Sequence, residues 1–226
     1  MGYRYDIAIR STHKYAVRAS GDVARVVDLP DGGIALLVID GQGSGPAARA
    51  AARDVAGRLS ALLEAGSSAE VAALAANQSL TSSRHGQVSV SFDVVRAGTN
   101  GEIDLARYST SQVLVFDGSR WLVVEGQTGP AGRIATNGPD VRRYSTVDVE
   151  AVVVATDGVD SEVLRDALGS IHAGSNPASV CSQVFQDLMN SCSGRPKDDV
   201  TLAMVARRTV PADQRFESID FGRDVR

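Results

Sequence analysis

The chain has 226 residues, 43% of them hydrophobic and 22% charged, with a formal net charge of −4. That balance excludes a disordered chain and a membrane protein, and with no Lys- or Arg-rich run it argues against nucleic acid as a partner. Two cysteines, Cys181 and Cys192, are too few for a disulfide framework, and Met1 to Arg10 lack the apolar core of a signal peptide, so a cytoplasmic protein away from membranes is expected.

Short apolar or alternating segments at Tyr5 to Arg10, His13 to Ala19 and Val23 to Leu29, followed by the wholly apolar run Ile34 to Ile39, predict four strands. Ser20-Gly21-Asp22 and Pro30-Asp31-Gly32-Gly33 carry turn chemistry between them. From Pro46 to Glu64, Ala47, Ala51, Val55, Leu59, Leu62 and Leu63 recur at helical spacing, with Pro46 suited to a first turn and Gly66 to a stop. A second helix is predicted from Ala69 to Leu80, started by Ser67 or Ser68. Strands follow at Gln87 to Val95, Ile103 to Tyr108, Gln112 to Phe116, Trp121 to Glu125, Val141 to Thr146 and Val149 to Ala155. Helices are predicted from Ser161 to Ile171 and, capped by Asn176, from Pro177 to Met189, before a strand from Val200 to Arg207. Strands in blocks with helices between them predict an α+β sandwich of mainly antiparallel sheets. Residues 1–208 read as one domain, and 209–226 as an edge segment or a loose tail.

Three places share one design, an apolar strand running into an aspartate that is followed by glycine or by a second aspartate. They are Ile34 to Asp40-Gly41, Val152 to Asp157-Gly158, and Asp198-Asp199 leading into Val200. Carboxylates beside buried strands are costly to desolvate, so several at one end of a core need cations or donors. The chain is rich in hard oxygen ligands and poor in His and Cys, which suits Mg²⁺ or Mn²⁺. A single Asp-Gly is usually a turn. The conjunction of three, with Gly41-Gln-Gly-Ser-Gly45 running directly into a helix, points instead to a ligand approached by backbone.

In these motifs the sequence resembles the PPM (PP2C-like) metal-dependent phosphatases, in the branch typified by the sporulation stage II E (SpoIIE) phosphatase domain. The resemblance runs from Ser20-Gly21-Asp22 through Asp40-Gly-Gln-Gly-Ser-Gly45 and Thr156-Asp-Gly-Val159 to Asp198-Asp-Val-Thr201. It implies a four-layer αββα sandwich and two Mn²⁺ or Mg²⁺ ions at one end. By that resemblance Asp40 bridges both metals, the carbonyl of Gly41 ligates the second, Asp157 and Asp198 hold the first, and Asp22 orients the second. Asp199 then supports Asp198 beside Gly158, and Arg18, placed on the strand leading to Asp22, is the candidate phosphate-binding residue. The implied chemistry is attack of a metal-bridging hydroxide on a phosphoserine or phosphothreonine. The implied substrate is a small regulatory protein, a STAS-type anti-anti-sigma factor, as for RsbX-like stand-alone phosphatases of stress-response pathways.

Two positions depart from the pattern. Gln42 stands where many relatives carry a histidine able to protonate a leaving group, and an amide cannot do so. Ser161, between Asp160 and Glu162, stands where some bacterial relatives hold a third metal with an acid, which leaves a third ion doubtful. A non-catalytic binding module on the same fold is the alternative, disfavoured by the retained aspartates. A nucleotide enzyme is disfavoured because Pro46 breaks the dinucleotide glycine spacing.

Overall fold

The computed structural model describes residues 2–43, 45–133, 137–145, 148–169, 175–210 and 219–221. In chain order these form β1 (Gly2–Thr12), β2 (Val23–Asp28), β3 (Ile34–Gly41), α1 (Pro46–Glu64), α2 (Ala69–Arg84) and β4 (Val90–Ala97). There follow β5 (Ile103–Tyr108), β6 (Val113–Phe116), β7 (Trp121–Val124), β8 (Asp140–Tyr144), β9 (Ala151–Ala155), α3 (Ser161–Gly169), α4 (Pro177–Ser191), β10 (Val200–Val210) and β11 (Ile219–Phe221). None of the described helices is long and apolar enough to cross a membrane.

Two sheets result, in the orders β11-β1-β10-β9-β6-β7 and β2-β3-β4-β5-β8, antiparallel throughout except for the short parallel pair of β1 with β11. Side-chain alternation divides each strand between two interiors. On β3, Ala35, Leu37 and Ile39 pack beneath α1 and α2, while Leu36 and Val38 face the other sheet. On β9, Ala151, Val153 and Ala155 pack under α3 and α4, while Val152 and Val154 face inward. Both faces of each sheet are therefore covered, which is why β3 and β9 read as unbroken apolar runs. Each buried Leu, Ile or Val contributes about 1.5–3 kcal/mol. Helix, sheet, sheet and helix stack in the four layers expected.

Helix ends follow local chemistry. The Ser68 hydroxyl accepts from the Val71 amide at 3.2 Å, and Asn176 Oδ1 accepts from Ala178 at 2.9 Å and Ser179 at 3.3 Å, as N-caps do. The strand expected over His13 to Ala19 is absent. That stretch is a loop in which Val17 N–H bonds Lys14 C=O and Ala16 adopts φ 66, while Tyr15 N–H bonds Pro196 C=O. Its alternating pattern suits a strand, but no neighbour offers it a ladder. β4 likewise starts at Val90 instead of Gln87, because its partner β3 ends at Gly41, opposite Val90. The ends of the strand expected to reach Thr146 and of the helix expected to reach Ile171, and most of the tail after Val210, lie outside the described residues.

One charged pair lies between the sheets. Arg107, fully buried on β5, donates from Nε to Asp93 on β4 at 2.5 Å, from one terminal nitrogen to Val124 C=O at 2.9 Å and from the other to Ser111 C=O. Burial raises the Asp93 carboxyl, and the guanidinium works against that rise. Arg107 thus ties β4 and β5 to the β6–β7 side of the sandwich.

Candidate metal-binding end of the sandwich

On β3 the inward alternation Leu36, Val38 continues to Asp40, and on β10 the inward set Val205, Ala203 continues to Thr201 and, just before the strand, Asp199. Both strands therefore turn polar at the same lip of the sandwich. Asp22 lies beneath, 5% exposed, immediately before β2. Its Oδ2 accepts from the Thr201 hydroxyl at 2.7 Å and the Thr156 hydroxyl at 3.0 Å, and its amide bonds Ser20 Oγ at 3.0 Å. Ser11 on β1 meets the Thr201 hydroxyl at 2.9 Å. Asp22 is thus held inside the fold by two threonines, to which the sequence reading gave no role. Their signal was their place inside the motifs Thr156-Asp-Gly-Val159 and Asp198-Asp-Val-Thr201.

The charges converge. Asp40 is pushed up to about 8, first by burial and then by the negative charges of Asp22, Asp157 and Asp198, with a hydrogen bond to Asp22 adding to the rise. Asp22 is raised to about 6 by burial, partly offset by its two threonine hydroxyls, with Asp199 and Asp157 adding repulsion. Asp157, just beyond β9, is raised by lost hydration and then by Asp198, against the stabilising amide of Gly158. None of these aspartates belongs to an ion pair among the described residues. Burial and mutual repulsion both disfavour their charged forms, and the hydrogen bond between Asp40 and Asp22 joins two of them directly.

Asp199 acts through the backbone. Its Oδ1 accepts from Lys14 N–H at 2.7 Å and its Oδ2 from Gly21 N–H at 2.6 Å, so it pins the 13–21 loop over the site, while its own amide donates to Asp198 Oδ1 at 2.9 Å. The glycines are required by close approach. A Cβ on Gly158 would stand 1.9 Å from Asp199 O, and one on Gly41 2.3 Å from Ala48 O in the first turn of α1. Val90 uses both its N–H and C=O on Ala131, so Gly41 opposite it turns its own carbonyl toward the β2 side, where Asp22 lies.

Three positions correct or extend the sequence reading. Arg18 is not on a strand: it lies exposed at a bend of the 13–21 loop, because that segment lacks a pairing partner. Arg49 on α1 instead donates to Ser20 C=O at 3.2 Å, beside Gly21 and Asp22. Gln42 Oε1 accepts from the buried Ser89 hydroxyl at 2.9 Å, which turns its amide nitrogen the other way.

A family profile described as Stage II sporulation protein E (SpoIIE) matches residues 30–208. That span contains Asp40, Gly41, Asp157, Gly158, Asp198 and Asp199 but not Arg18 or Asp22. Comparison with curated proteins finds no match. Among solved structures, the PP2C phosphatase domain of SpoIIE with a fragment of its regulatory domain, from Bacillus subtilis, superposes with a TM-score of 0.78 at 17% identity, over 93% of this chain and 65% of that one. The RsbU and RsbW domains of a Mycobacterium tuberculosis protein give 0.76 at 25% identity, over 93% and 63%. RsbX in complex with magnesium gives 0.71 at 13% identity, over 92% and 96%. The chain therefore spans less than two thirds of the first two.

Proposed function

Because the chain belongs to the stage II sporulation protein E (SpoIIE) family of PP2C-like phosphatases, we propose that it removes phosphate from phosphoserine or phosphothreonine on a small regulatory protein. The observation that carries this reading is Asp40, held near 8 by burial and three like charges with no described cation to relieve them. An all-oxygen donor set with that excess of negative charge fits hard dications. Asp22, Asp40, Asp157 and Asp198, with the Gly41 carbonyl, would hold two Mn²⁺ or Mg²⁺ ions, an assignment consistent with the magnesium complex of RsbX. When bound, such ions offset the charge of the phosphoester dianion and acidify water.

The chain's own groups prepare that site. Thr156 and Thr201 occupy one oxygen of Asp22, leaving the other to face Asp40. Asp199 holds the loop that carries Gly21, and Arg49 supports Ser20 at the same rim. Gln42, fixed by Ser89, offers an amide donor and no acid, so it does not supply the proton for the leaving oxygen. Asp160 Oδ1 accepts the Glu162 and Val163 amides at 2.9 and 3.2 Å, a helix-capping role that speaks against a third ion there.

RsbU- and RsbX-type neighbours favour a phosphorylated STAS-type anti-anti-sigma factor as substrate, inside a partner-switching pathway in the cytoplasm. The test is Mn²⁺-dependent phosphate release from a phosphoserine-bearing STAS protein, expected to vanish in Asp40→Asn and Asp157→Asn; undiminished turnover by both removes the assignment. The second reading is a non-catalytic module of the same fold, which the retained aspartates disfavour. That reading requires calorimetry to show no Mn²⁺ binding by the wild-type chain.

A further inference from the structure

The far edge of the six-stranded sheet, remote in sequence from the aspartates, carries a separate pattern. β7 is its last strand, and no described strand pairs with its outer side. Consecutive strand residues point to opposite faces, yet Leu122 and Val123 are each 38% exposed, so both faces of the sheet run out at this strand. β7 contains no proline, lysine or bulge of the kind that blunts an edge against pairing.

The hydrogen-bonding direction of each residue can be read off. In the hairpin between β6 and β7, Asp117 N–H bonds Arg120 C=O at 3.2 Å, and on the other side of β6, Glu150 N–H bonds Phe116 C=O at 2.8 Å. Backbone groups alternate in direction along a strand, so Leu122 and Val124 address β6, and Trp121, Val123 and Glu125 present N–H and C=O to the open edge. The side chains of Trp121 and Val123 lie on the same face as Leu114 and Phe116, toward α3. Between that face and α3 is a cavity of about 420 Å³ bordered by Phe116, Arg120, Trp121, Val123 and Arg165. Trp121 Nε1 is buried there and has no acceptor among the described residues.

Antiparallel pairing of this edge with a second copy can place only outward-directed residues opposite one another in hydrogen-bonded pairs. With Val123 on the twofold axis, Glu125 of the second copy falls opposite Trp121 on the same face, their Cβ atoms about 5 Å apart. Its carboxylate then reaches an indole N–H that has no acceptor among the described residues, between the guanidinium groups of Arg120 and Arg165. With Leu122 on the axis, Val123 of the second copy would fall opposite Trp121 and satisfy neither. We propose that two copies of this chain join through β7, antiparallel about a twofold axis at Val123, into one continuous sheet with Glu125 of each copy seated beside Trp121 of the other. This proposal is independent of the chemistry at the aspartates.

The test is sedimentation velocity on the full chain from about 1 to about 300 µM, a range suited to a small interface. It is run beside the emission of Trp121, the chain's single tryptophan. A concentration-dependent dimer is expected, with the emission shifting to the blue in step. Glu125→Arg and Arg165→Glu should each weaken the dimer at least about tenfold, and the double variant should recover much of the loss. Val123→Pro removes the outward N–H on the axis and should leave a folded monomer by circular dichroism. A wild-type chain that stays monomeric throughout, whether its edge is then open or taken by a different protein, overturns the proposal. So does a dimer indifferent to both Glu125→Arg and Val123→Pro.

Discussion

Replacing Asp40 by asparagine should stabilise the metal-free protein while it destroys metal binding. The Asp40 carboxyl moves from 3.8 to about 8 on folding. At pH 7 an unfolded aspartate is ionised and the folded one is protonated, and at about 1.4 kcal/mol per pH unit the penalty on folding has a ceiling of about 4 kcal/mol. The lip of the sandwich is open to water, so an effective gain on the order of 2 kcal/mol is expected from Asp40→Asn, whose amide can still donate to Asp22. For a chain of this size that is a rise of about 5 °C in Tm in EDTA. The sign with pH follows from the raised pKa: the folded chain holds more protons than the unfolded one between about pH 4 and about pH 8, so metal-free stability falls as pH rises through that window. The advantage of the variant should therefore grow from about pH 5 to about pH 8, while Asp22, raised to about 6, lowers the metal-free stability of both proteins in the lower half and largely cancels from their difference. Saturating Mn²⁺ should reverse the order, since a ligand at a hundred times its Kd adds about 2.7 kcal/mol to the wild type and little to the variant. Thermal melts of both proteins with EDTA and with Mn²⁺ across this pH range decide it. A variant less stable than wild type in EDTA, or an advantage that shrinks as pH rises, refutes the convergence of charge on Asp40.

Thr201→Val removes the 2.7 Å bond to Asp22 with little change of shape, and Mn²⁺ affinity measured by calorimetry should fall about 10- to 100-fold. Gly158→Ala would thrust a Cβ to 1.9 Å from Asp199 O and should lower both Tm and Mn²⁺ affinity, whereas Gly57→Ala, on α1 with nothing within 4 Å, should raise stability by about 0.5–1 kcal/mol. Asp93→Ala strands the Arg107 charge inside the sandwich and should cost about 3–5 kcal/mol in urea denaturation, with much of it recovered in Asp93→Leu/Arg107→Met.

The layered fold was legible because its signals are local. The apolar runs ending at Asp40 and Asp157, the helical spacing from Pro46 to Glu64 and the Asn176 cap each imprint a period or a turn on neighbouring residues. Asp40 and Asp157 stood out for the same reason, since each ends or follows an apolar strand, and Asp198 because it precedes one. What stayed hidden depends on contacts distant along the chain. Thr201 meets Asp22 across 179 positions, and Lys14 meets Asp199 across 185. The 13–19 segment shows strand-like alternation but folds as a loop because its amides bond Asp199 and Pro196. Arg18 went astray with it, and Arg49, at an unremarkable place on an amphipathic helix, gave no sign that it faces Ser20.

β10 has one rail of side chains that is greasy in the depth of the molecule, at Val205 and Ala203, and polar at its lip, at Thr201 and Asp199. A single-residue insertion or deletion between Asp199 and Ala203 would exchange odd and even places, swinging Leu202 toward Asp22 and Thr201 under α4. Cohesion and ion capture would fail in the same event, because one count of residues sets both. The strand that enters the acidic lip should therefore tolerate changes of letter but not of number, whereas an added residue in a turn leaves the rail in phase.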